Sequence, residues 1–133
     1  MNTETQPATP YAQIGGEPAV RALVKRFYEL MDTLPEAYGI RKLHPQDLSG
    51  SEEKLFLYLT GWLGGPQLYV EKFGHPRLRS RHLPFPIGSD EAAQWMLCMR
   101  LAMAECIADA PLRARLDKAL TDLAEFMRNQ APA

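Results

Sequence analysis

The residues with the most chemistry to offer fall in one stretch, "RLRSRHLPFPIG", Arg77 to Gly88. His82 follows three arginines at alternate positions, Arg77, Arg79 and Arg81, and precedes Pro84-Phe85-Pro86. The prolines forbid an ordinary helix from continuing past the histidine. An imidazole held at such a stop can ligate a metal or carry a proton. Taken alone, it is also well read as a capping or surface histidine. The arginines make either a solvated face or a cradle for carboxylates.

Tyr28 and Trp95 fall on apolar stripes assigned to the core, and each brings one hydrogen-bond donor. Each donor can bond a backbone carbonyl. Two of them on separate stripes also suit a small polar ligand in an apolar pocket. Lys54, before the apolar run of its helix, and Tyr69, after a glycine stop, are unremarkable alone. No phosphate-binding glycine loop, Ser/His/Asp set or paired-cysteine motif is present, and His44, His75 and His82 lack the spacings of a zinc site.

The elements that position these residues read as helices. The chain has 133 residues, 46% hydrophobic and 23% charged, which is enough for one domain with one core. A net charge of -1 gives no field for nucleic acid or an anionic membrane, and no apolar run approaches a membrane span. The start, "MNTETQPATP", has neither the basic nor the apolar part of a signal peptide, so a cytoplasmic protein is expected. Residues 1–10 are expected to form a disordered tail, and Asn129 to Ala133 has the same polar character.

Between the tails, Val20, Leu23, Val24, Phe27, Tyr28 and Met31 follow helical spacing after Gly15-Gly16. Pro35 starts a short segment that ends by Pro45. "SEEKLFLYLTGWLGGP" is a helix apolar on most sides, stopped at Gly64-Gly65-Pro66. A further helix, capped by Ser89 or Asp90, carries Trp95, Met96, Cys98, Met99, Met103 and Ile107. Pro111 opens the last, with Leu112, Leu116, Leu120, Leu123 and Met127 on one stripe. No stretch alternates as a strand would, so the fold class is all-α with about four principal helices. Cys98 and Cys106 on one helix lie about 12 Å apart along its axis, beyond the ~7 Å Cα separation a disulfide allows.

The ordered set "GGPQLYVEKFGHPRLRSRHLPFPIG" (Gly64 to Gly88), Gly15-Gly16, "FYELM" from Phe27 and "WMLCMR" from Trp95 resembles the group II truncated haemoglobins, the bacterial "O" type. The resemblance runs from Tyr11 to Gln130, so it implies one truncated globin domain over 11–130 and leaves 131–133 as a tail. It implies a two-over-two helical sandwich around haem b (iron protoporphyrin IX). By that match His82 is the proximal metal ligand, with its second ring N–H on a backbone carbonyl. Arg81, Lys54 and Tyr69 match positions at the propionate edge, while Arg77 and Arg79 are taken as solvated. Tyr28 and Trp95 match the distal donors to a ligand on the iron, and Ser51 and Leu55 the distal-helix positions. His44 falls where the family usually carries phenylalanine or tyrosine; facing the pocket, it is a third distal group able to swing to the iron.

The resemblance implies binding of dioxygen, carbon monoxide and nitric oxide. An alternative is a redox enzyme at the same iron, peroxidase-like or nitric oxide dioxygenase-like, served by a separate reductase. A helical module without haem is a third reading, which His82, Tyr28 and Trp95 together disfavour. Monomer and homodimer stay equally open.

Overall fold

The computed structural model describes residues 8–130. The tails expected at 1–10 and 131–133 lie almost wholly outside these residues. Eight α-helices and one short 3₁₀ turn make up the described chain, with no strand among them. Four are long: α2 (Glu17–Thr33), α4 (Ser49–Trp62), α7 (Ser89–Cys106) and α8 (Ala110–Phe126). The short ones are α1 (Pro10–Ile14), α3 (Tyr38–Arg41), α5 (Leu68–Phe73) and α6 (Leu78–His82), with the 3₁₀ turn at Pro35–Ala37.

The long helices form two pairs. α2 packs on α4, α7 packs on α8, and α2 crosses onto α7 to join the pairs. This is a two-over-two arrangement, as the resemblance implies. Phe27 and Met31 of α2, Leu59 of α4, Met99 of α7 and Leu112 of α8 are fully buried where the pairs meet. α4 buries Phe56, Leu57 and Leu59. They come from more than one side of the helix, as its apolar pattern requires. The buried Thr60 hydroxyl is satisfied within the helix, donating to the Phe56 carbonyl at 2.8 Å.

Two helix ends differ from expectation. The cap of α7 is Gly88, neither Ser89 nor Asp90, and the Glu91 carboxylate accepts from the Gly88 N–H at 2.7 Å. The side chain three residues into the helix thus reaches back to the cap, which a glycine cap permits. At the other end of the chain, Pro10 begins α1, a helix the polar composition concealed. The Thr9 hydroxyl caps it, accepting from the Ala12 N–H at 3.1 Å. Both cysteines lie on α7, and burial pushes the Cys98 thiol up to about 11 and raises that of Cys106. They are inert thiols at neutral pH.

α1 docks where α4 stops. The Tyr11 N–H donates to the Leu63 carbonyl at 2.9 Å. A Cβ on Gly65 would stand 2.7 Å from the Tyr11 ring and 2.9 Å from the Thr60 carbonyl oxygen. The glycine stop is therefore a close-approach site as well as a helix end. Gly65→Ala should lower stability by about 1–3 kcal/mol through overpacking. Gly50→Ala, with nothing within 4 Å of the new Cβ, should be neutral or stabilising by up to about 1 kcal/mol. Urea midpoints of the two variants check this; equal midpoints would contradict the docking.

Candidate functional site

A single cavity of about 600 Å³ is lined by Tyr28, His44, Ser51, Lys54, Leu55, Tyr69, Arg81, His82 and Trp95. These are all the site residues named from the sequence, drawn from six separate segments. Apolar side chains complete the wall, including Ile40, Leu43, Leu78, Phe85, Ile87, Leu123 and Met127.

His82 ends α6, the short helix that the proline stop requires. Its Nδ1 lies 2.6 Å from the Leu78 carbonyl oxygen, one turn back. A carbonyl can only accept, so Nδ1 carries the hydrogen, and in the neutral ring the lone pair falls on Nε2. A neutral imidazole oriented through one nitrogen and open at the other is the donor a metal needs.

Tyr28, Trp95 and His44 form an aromatic group elsewhere on the wall. Phe27 links them, with its ring centroid 4.9 Å from Tyr28 and 5.0 Å from Trp95. Tyr28 meets His44 edge-on at 5.9 Å. Burial, with Glu52 adding to it, pushes the Tyr28 phenol well above its ordinary range. It therefore stays protonated at neutral pH, a donor with no partner of its own among the hydrogen bonds of the described residues.

His44 is set by α3 and the turn after it. Its Nδ1 lies 2.9 Å from the Ile40 carbonyl, which makes Nδ1 the protonated nitrogen here too. Arg41 braces the turn, donating to the carbonyls of Pro45 and Gln46 at 2.9 Å each and to Asp32. From α7, the Gln94 amide oxygen accepts from the Ile40 N–H at 2.8 Å. Gly39 leaves it room, since a Cβ there would stand 2.6 Å from Gln94.

Lys54 and Arg81 are exposed at the cavity margin and make no ion pair among the described residues. Tyr69 is buried there between Tyr58 and Phe73. Ser51 and Leu55 are half-buried on α4.

Three contributors escaped the sequence reading. Arg79 is not simply solvated: it donates to the carbonyls of Phe126 and Arg128 at 2.8 and 3.0 Å. Asn129 is no part of a loose tail, since it bonds the turn after His82 at three backbone positions. Gln94 sits beside Trp95 without any pattern to mark it.

The model of the bacterial-like globin family matches residues 9–129. The group 2 truncated haemoglobin YjbI of Bacillus subtilis is 40% identical over 124 residues, covering 93% of this chain and 91% of the relative. The chain belongs to the group II truncated haemoglobins. The group II two-on-two haemoglobin of Agrobacterium tumefaciens superposes with a TM-score of 0.92 at 56% identity, covering 98% of this chain and all of the other. The cold-adapted truncated haemoglobin of Pseudoalteromonas haloplanktis gives 0.91 at 41% identity, covering 93% and 100%.

A truncated haemoglobin is implied to carry a haem and to bind small diatomic gases. The residues present fit such a group. An apolar cavity suits a flat macrocycle, His82 offers a free Nε2, and Lys54 and Arg81 have no carboxylate to serve among the described residues.

Burial holds the His44 pKa below its ordinary range; the Ile40 bond opposes this, while Arg41 and His82 add to it. The unfolded chain therefore takes up this proton first on acidification. The neutral His44 of the folded state costs stability as the pH falls below about 6.5. His44→Phe should flatten the fall in stability between about pH 6.5 and pH 5, read from urea midpoints at the two pH values. An unchanged slope would mean His44 is not held neutral.

Proposed function

We propose that the chain binds dioxygen and related diatomic gases at a haem b held by His82. The observation that carries this is the His82 imidazole, its Nδ1–H tied to Leu78, on one cavity with the Tyr28 and Trp95 donors. When bound, the haem supplies an iron able to take a diatomic gas.

The chain's own residues do the rest. The Leu78 carbonyl fixes the tautomer and plane of His82 and makes Nε2 a stronger electron donor. Arg81 and Lys54 hold the propionates at the cavity margin, with Tyr69 packed beside them. Leu55 and Ser51 leave that part of α4 without a long side chain over the ligand space. Tyr28 and Trp95 present an O–H and an N–H to a ligand that gathers negative charge on its outer atom. Dioxygen does so more than carbon monoxide, so the two donors favour dioxygen and slow its release. His44 is a third group at the same wall, its Nε2 available to Tyr28, to the ligand or to the iron.

A relative points the same way. A truncated haemoglobin of Bacillus subtilis described as oxygen-avid is 39% identical, covers 92% of this chain and has a TM-score of 0.83. The reading includes a cytoplasmic location. It also includes a separate reductase wherever the iron turns over in peroxide or nitric oxide chemistry.

The purified protein should show a strong Soret band that shifts with carbon monoxide and is lost or altered in His82→Ala. A protein without that band, even after haem is added, would remove the reading. Tyr28→Phe deletes one donor to a charged acceptor, worth about 1.5–3 kcal/mol. Dioxygen dissociation should therefore quicken by about 10- to 100-fold, measured by stopped flow. An unchanged off-rate would pass the role to Trp95 or His44.

A further inference from the structure

α6 poses a mechanical problem. It has five residues, and none of them is buried. Burial therefore does little to hold the helix that carries His82, and hydrogen bonds between α6 with its following turn and residues at and beyond the end of α8 do it instead.

Asn129 supplies most of those to the turn. Its Nδ2 donates to the Phe85 carbonyl at 2.8 Å and to the His82 carbonyl at 3.2 Å. Its Oδ1 accepts from the Ile87 N–H at 3.0 Å. Its own N–H and that of Gln130 both reach the Ile87 carbonyl, at 2.9 and 3.1 Å. One carboxamide thus grips both ends of the turn 82–87. Arg79, at the second position of α6, ties the same helix to the Phe126 and Arg128 carbonyls. Pro84 and Pro86 have no N–H to give, so the turn has few bonds of its own.

We propose that Asn129 is a positioning residue for His82, its carboxamide setting the backbone of the ligand-bearing turn and hence the direction in which Nε2 faces the cavity. The inference rests on His82 being the iron ligand. The carboxamide touches the His82 backbone carbonyl while Leu78 holds the ring. Backbone and imidazole are thus fixed from two sides, by groups 47 residues and four residues away.

Resonance Raman spectra of the reduced, ligand-free holoprotein read the strength and geometry of the iron–histidine bond through its stretching band. Haem transfer to excess apomyoglobin reads the hold on the group. Asn129→Ala should shift or broaden the band and speed haem loss by about tenfold or more. Leu120→Ala, a buried α8 variant outside the cavity lining, should lower Tm yet leave the band in place. If Asn129→Ala does not fold, Asn129→Asp substitutes. It keeps the acceptor for Ile87 but turns oxygen toward the two carbonyls, and the same shift is expected.

A band unmoved in the Asn129 variant, or moved equally by Leu120→Ala, would overturn the assignment while leaving the haem site intact. A wild-type holoprotein with a Soret band but no iron–histidine band would instead remove the role of His82, and this inference with it.

Discussion

A neutral imidazole has one lone pair to offer, and the hydrogen on its other nitrogen decides which. In this chain the Leu78 carbonyl makes that choice at 2.6 Å. The choice is local, made within one turn of helix, but it is useful only if the turn faces the cavity. Much of the surrounding architecture serves that requirement. The prolines end α6 at His82, the segment after α8 supplies the anchor beyond them, and Ile87 is buried to seat the turn against the body. His44 repeats the device elsewhere on the wall, with Nδ1 on the carbonyl four residues back. Both cavity histidines are thus presented in the same tautomer by the same backbone geometry.

A cavity of this size in so small a domain removes packing that the fold would otherwise use. The close packing lies where α2 crosses α7, with Phe27, Met31 and Met99 excluded from solvent. Around the cavity, side chains bonded to the backbone replace apolar contact. Gln94 holds α3, Arg41 holds the following turn, and Asn129 and Arg79 hold α6. Arg79 and Asn129 reach furthest, joining α6 and its turn to residues at and beyond the end of α8. The surface ion pairs, such as Arg21 with Glu53, lie in water and add little by comparison.

The four long helices were legible because burial on a stripe forces a period on the sequence. Val20 through Met31 and Leu112 through Leu123 could be placed that way. The cavity residues were legible as a set through the resemblance to the family, since Lys54, Tyr69, Ser51 and Leu55 carry no mark of their own, and the structure brings all nine to one cavity. Asn129, Gln94 and Arg79 left no such mark. Their partners are main-chain groups, which every residue carries, so no residue type at the other end signals the contact. Composition also misled at both ends of the chain. A polar stretch reads as a tail whether its polar groups face water or bond the protein. Thus the Thr9 cap of α1 and the Asn129 contacts were hidden in the same way.

The bond from Asn129 to His82 joins residues 47 positions apart. On a ribosome adding about 5–20 residues per second, the fastening is made about 2–9 s after the turn it fastens. During that interval the His82 segment exists without its anchor. Maturation of the nascent chain therefore has an order built into it: the ring of His82 is set locally as soon as α6 forms, and the backbone of its turn is fastened only after the residues beyond α8 are made.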